Sequence, residues 1–213
     1  MFRVGLLLAA AMALAIPSLA HSNAPSNAAS NSLNIPAGQG ILAKLLTQLD
    51  AARLKPGDAV LVETTRDLKR GHEMLLKKGS VFTGHVVKVQ SFSGSASPST
   101  VAILFDQVAP KGGQAETLNV QIQALAPEPS VSTDSLQDGR GMIQTNIDSA
   151  TSGSKNLGTA GELTPASEGV YGIRGVRLAT AQDKGKTYSV IQSSDADVKL
   201  KKNTQIVFVV PEQ

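Results

Sequence analysis

Apolar positions along this chain fall into short runs with a two-residue period, bounded by Gly, Pro, Lys and Asp, the pattern of β-strands between turns. Residues 59–65 form one run, and residues 80–90 form another with Val81, Phe82, Val86, Val87 and Val89. Residues 100–108 and 116–125 follow, and residues 188–191 and 205–210 come last. Val, Ile and Thr dominate these runs, and their branched side chains fit a pleated surface. In Ile206-Val207-Phe208-Val209-Val210 every position is apolar, so that strand is expected to be covered on both faces. Ile41, Leu42, Leu45, Leu46 and Leu49 fit a helical stripe, while Ile41, Ala43, Leu45, Thr47 and Leu49 alternate as a strand does. We read a strand, then a short helical turn at Asp50-Ala51-Ala52-Arg53 that Lys55-Pro56-Gly57 ends.

The punctuation repeats. Ile35-Pro36-Ala37-Gly38, Leu54-Lys55-Pro56-Gly57-Asp58, Leu76-Lys77-Lys78-Gly79-Ser80 and Leu200-Lys201-Lys202-Asn203-Thr204 each precede an apolar run. Gly and Asn are the residues that accept positive φ, so four strands are expected to open from one kind of left-handed turn. Reuse of a turn-plus-strand unit suits a closed sheet. The fold class is therefore all-β: a small β-barrel of about seven or eight strands with a flexible polar insertion. Residues 35–126 and 168–213 are assigned to the barrel, and residues 205–210 are expected to pair with strands that precede Pro127. Left unpaired, five consecutive apolar residues would be an aggregation hazard.

Three segments lack this texture. Arg3, the apolar residues 4–16, Pro17 and Ser18-Leu19-Ala20 give the parts of a signal peptide over residues 1–20, cleaved after Ala20. The run is too short for a membrane anchor, which needs about 20 apolar residues, so no transmembrane segment is expected after cleavage. Residues 21–34, rich in Ser, Asn, Ala and Pro, read as a disordered leader. Residues 127–167, rich in Ser, Gly, Thr and Asp, read as a low-complexity surface excursion outside the core. Gly141-Met142-Ile143-Gln144-Thr145-Asn146-Ile147 within it has the apolar content of one helical turn or a short strand.

Composition narrows the function classes. The net charge is +3, and loss of Arg3 with the signal leaves +2, with aromatics at 3% of residues and no Trp. Nucleic-acid binding needs clustered cations with aromatics for base stacking, so no nucleic-acid partner is expected. The chain has no cysteine, which excludes thiolate catalysis, CxxC redox chemistry and zinc–thiolate sites. An exported domain without disulfides, behind a short signal, points to the periplasm or exterior of a bacterium.

Candidate chemistry is sparse. His72 beside Glu73 lacks the second histidine of an HExxH zinc motif, and His85 lies in a strand run. Asp67 and Asp106 lie near strand ends, where an acidic residue commonly serves as a turn acceptor. His72, His85, Asp67 and Asp106 are scattered over separate turns and strands and are not expected to converge. His21 falls in the leader. Gly169-Val170-Tyr171-Gly172-Ile173-Arg174-Gly175 is glycine-rich but lacks the Lys-Ser/Thr of a P-loop, and reads as a tight turn leading into the late strands. Lys77, Lys78, Lys201 and Lys202 could face an acidic envelope polymer, although turn lysines also keep sheet edges apart. No catalytic, cofactor-binding or metal-ligating residue is assigned, and no cofactor is expected.

Residues 49–126, with LKPGDAVLVETTRDLK, LLKKGSVFTGHVVKVQ, VAILFDQVAPKGG and LNVQIQALA, resemble a family of short exported bacterial proteins of unknown function. More distantly, residues 35–126 and 188–213 resemble the C-terminal β-barrel of the conjugal-transfer and type IV secretion core-channel family. Ile35-Pro36-Ala37-Gly38, Lys78-Gly79-Ser80 with Gly84, and Lys111-Gly112-Gly113 carry that likeness. It implies a barrel whose residues are structural rather than catalytic. The chain departs from the channel pattern twice: its N-terminal segment reads as cleavable, and residues 127–167 are too polar to enter lipid. The pore-forming role is therefore not carried over. The expectation is an exported, non-enzymatic envelope protein, periplasmic or extracellular, with a structural or binding role. Its partner would be an envelope protein or polymer, or a second copy. The alternative is a hydrolase of an envelope or extracellular polymer, which needs carboxylates or histidines converging in a concavity.

Overall fold

In the computed structural model the described residues are 33–94, 96–129, 155–157, 161–183 and 185–211. The signal expected at residues 1–20, the leader as far as residue 32 with His21, and residues 130–154 and 158–160 of the polar stretch lie outside them. The strands are β1 (Gly40–Leu45), β2 (Leu49–Asp50), β3 (Ala59–Thr64), β4 (Leu68–Arg70), β5 (Glu73–Leu76), β6 (Val81–Gln90) and β7 (Ser99–Ala109). They continue with β8 (Glu116–Ala126), β9 (Lys155–Leu157), β10 (Leu163–Val170), β11 (Val176–Asp183), β12 (Lys186–Ser193), β13 (Lys199–Leu200) and β14 (Gln205–Val209). The segment read as a strand followed by a turn is β1, β2 and a turn in which Arg53 and Leu54 donate to the Asp50 carbonyl, both at 2.9 Å.

Six strands close a ring in the order β1-β3-β6-β7-β8-β14, antiparallel throughout. β14 is inserted between β1 and β8, so a strand from beyond residue 200 joins two from before Pro127, as expected. The further strands expected in the barrel extend from this ring: β12 pairs with β7, β11 with β12, and β10 runs parallel to β8.

The ring is solid. Phe82, Phe105 and Phe208 are fully buried, with Phe208 at 5.1 Å from Phe82 and 4.7 Å from Phe105 between ring centroids. Gly84 makes that packing possible, because a Cβ there would sit 2.5 Å from Cδ1 of Phe105. β14 is apolar on both faces because both are covered. Ile206 and Phe208 face the ring interior, and Val207 packs outside it with Ala124, Ala126, Leu163 and Tyr171. β10 supplies that cover and runs so close to β1 that a Cβ on Gly40 would overlap the Pro165 carbonyl oxygen.

The repeated corners take one form. Gly38, Gly57, Gly79 and Asn203 have φ of 75°, 95°, 85° and 65°. Each is the third residue of a turn, closed by the amide of Gln39, Asp58, Ser80 or Thr204 donating to the carbonyl of Pro36, Lys55, Lys77 or Lys201, which matches the residue preferences of a type II turn. Three of the corners then clasp a strand residue alike, at a strand end for Thr64 and Leu45 and within β6 for Val86. Gly57, Gly79 and Asn203 donate to the carbonyls of Val86, Thr64 and Leu45, whose own amides donate to Asp58, Ser80 and Thr204.

Two boundaries differ from the sequence reading. Leu33, within the stretch read as leader, packs on the core and donates its amide to Glu116 Oε2 at 2.8 Å. Leu163 and Ser167, within the stretch read as lying outside the core, are buried in β10. Few apolar residues mark β10, because only Leu163, Ser167 and Val170 of its eight residues are buried.

Candidate binding surface

The residues singled out for chemistry have gone to different places. Asp67 Oδ1 accepts the Lys78 amide at 2.8 Å, so it is a turn acceptor. His72 is exposed in the β4–β5 turn, and Glu73 pairs with Arg70 at 2.7 Å. Lys77 and Lys201 offer their carbonyls, which accept the Ser80 and Thr204 hydroxyls at 2.7 and 2.8 Å. Gly172 and Gly175 take positive φ in the turn joining β10 to β11, while Gly169 and Val170 still belong to β10.

No three of the four acidic and histidine candidates come together: Asp67 and His72 lie apart, while His85 and Asp106 are neighbours. His85 Nε2 lies 3.8 Å from Asp106 Oδ2, and Lys186 Nζ of β12 lies 3.8 Å from the same oxygen. Asp106 sits at a register shift in β7, three residues before the strand ends. The irregularity at β7 turns its carboxylate outward toward β6, while β12 brings in Lys186, a residue that spacing along the chain could not place. Asp106 Oδ1 and Asn119 Oδ1 are buried without a hydrogen-bond partner among the described residues. The described residues contain no group of three or more His, Asp or Glu able to hold a metal ion.

A groove of about 360 Å³ runs beside β1 and the start of β14. Its charged rim is paired across itself, by Arg66 with Glu162 at 3.1 Å and by Asn203 Nδ2 donating to Glu128 Oε1 at 3.2 Å. No described helix is long and apolar enough to cross a membrane.

The most exposed of the long strands is β11, which forms a hairpin with β12 that the sequence reading saw only at residues 188–191. Eight consecutive pairs, from Val176↔Ser193 to Asp183↔Lys186, join the two strands without a bulge. Only Ser189 to Ser193 of β12 also pair with β7, because β8 occupies the flank of β7 from Phe105 onward. Where the strands part, the Ser189 hydroxyl, 1% exposed, accepts the Ile122 amide at 2.8 Å and fills the gap. Beyond that point Ala179 to Asp183 are exposed on both faces. β11 ends the sheet, so its outer backbone edge is unpaired among the described residues. Leu178-Ala179-Thr180-Ala181-Gln182 carries no charge, proline or bulge, the features that ordinarily guard an edge.

No family model matches this chain, and no curated protein matches it.

Proposed function

We propose that the chain is an exported, non-enzymatic docking module of the bacterial envelope, periplasmic or extracellular, that engages its partner through the β11–β12 hairpin. The observation that carries this reading is the free edge of β11. A regular, uncharged strand edge on a filled barrel offers main-chain hydrogen bonds to an incoming strand, which is how β-augmentation gives affinity. The distant likeness to the core-channel barrel supports a structural rather than a catalytic role. The partner is an envelope protein or polymer, or another copy of the chain.

The test is a photo-crosslinking residue in place of Ala181, with the same residue at exposed Lys69 of the β4–β5 hairpin as control. In intact cells the Ala181 variant should give adducts of defined mass with an envelope component or with itself, and the Lys69 variant should give none. Equal labelling at both positions, or none at Ala181, would sink the docking reading. The rival hydrolase reading rests on His85 with Asp106. It would take over if the protein released soluble fragments from purified envelope polymer and Asp106→Asn abolished that release.

A further inference from the structure

We propose that the occupant of the β11 edge is β11 of a second copy, paired antiparallel about a twofold axis through Thr180. This rests on reading the hairpin as a docking edge, and the charge pattern selects the partner. Arg177 and Asp183 flank the uncharged stretch at equal distance from Thr180, and both are exposed. In an antiparallel self-pair centred on Thr180, Arg177 of each copy faces Asp183 of the other, and Ala179 faces Ala181. The two charged residues have the same parity, so they lie on one face of the ribbon. A parallel self-pair would instead set arginine beside arginine and aspartate beside aspartate, which is unfavourable directly across a ladder. Shifting the antiparallel register either way separates both ion pairs.

The backbone is compatible with the same axis and excludes half of the alternative registers. Asp183 and Lys186 close the hairpin with two residues between them, and such a loop makes its flanking residues a hydrogen-bonded pair. Alternation along the ladder then directs the amides and carbonyls of Asp183, Ala181, Ala179 and Arg177 toward β12. Those of Gln182, Thr180 and Leu178 point outward. These are the residues that meet in the proposed register, Leu178 with Gln182 and Thr180 with itself. A register moved by one residue would pair outward-pointing groups with inward-pointing ones. An isologous pair of this kind closes on itself, so the edge is used up and no filament grows.

Because the chain has no cysteine, one substitution reports on the axis. A hydrogen-bonded antiparallel pair holds its Cα atoms roughly 5.5 Å apart, within disulfide range. Thr180→Cys, in protein purified from cells expressing the full chain, should oxidise to a covalent dimer. Gln182→Cys, on the same face but roughly 14 Å from its own copy in this register, should not. Charge reversal gives a second readout by sedimentation equilibrium. Asp183→Arg should weaken dimerisation on the order of tenfold by turning two attractions into repulsions. Adding Arg177→Asp to the same chain should restore it. A monomer at every concentration with no Thr180→Cys dimer overturns the proposal, as does equal crosslinking at both cysteines or failure of the double reversal to rescue. If the protein stays monomeric while the Ala181 crosslinker captures another envelope component, self-pairing falls and the docking reading stands.

Discussion

Asn203 is the only non-glycine residue with positive φ among the described residues, at 65°. It occupies the corner position that glycine holds at Gly38, Gly57 and Gly79. A Cβ in the left-handed region costs roughly 1–2 kcal/mol, which asparagine partly escapes. Asn203→Gly should therefore leave the urea midpoint nearly unchanged, while Asn203→Ala should lower stability by about 1 kcal/mol. Equal midpoints for the two variants would mean that the corner does not depend on backbone conformation. These corners were legible in the sequence because a backbone requirement dictates the residue type. The cluster of His85, Asp106 and Lys186 was not, since a register shift in β7 and a strand about 80 residues further on bring its members together. Neither feature leaves a mark on the residues themselves.

At the scale of elements, legibility followed burial. β14 and the Val101–Phe105 run of β7 were readable because two covered faces demand successive apolar residues, and β3, β6 and most of β8 because one covered face demands alternation. β10 and β11 left little trace. LTPASEGV touches the barrel with few side chains, and VRLATAQD is exposed along most of its length. β12 joins the two regimes, and its anchor is polar. The Ser189 hydroxyl accepts the Ile122 amide where β8 leaves the flank of β7, so that amide has no strand partner to return to. Ser189→Ala leaves a buried donor unsatisfied, which costs about 1–3 kcal/mol. The loss should appear both as a lower urea midpoint and as faster hydrogen exchange at the Ile122 amide. Ser194→Ala removes only an exposed hydroxyl that donates to Asp195 at 2.7 Å, and it should change neither. If Ser189→Ala left exchange at Ile122 unaltered, the hydroxyl would not be the acceptor that joins hairpin to barrel.

The whole molecule depends on a strand placed far from its partners in sequence. β14 gives one edge to β1 and the other to β8, and its faces carry Phe208 into the ring and Val207 under β10. Truncation after Lys199 removes that strand and Leu200 of the short β2–β13 pair. It leaves β1 and β8 with open edges and the Phe82 and Phe105 rings without the one packed between them. Open apolar edges invite pairing with other chains, so the truncated protein should go to the insoluble fraction. Phe208→Ala separates packing from closure, because it keeps every backbone pair and deletes one ring. Its cost should be about 3–5 kcal/mol, read as a lower denaturant midpoint in a chain that still unfolds in one cooperative step. The two variants together locate the barrel's integrity in closure of the ring beyond the filling of its core. A truncated chain that was soluble, monomeric and cooperatively folded would show that five strands suffice and that β14 covers the barrel rather than completing it.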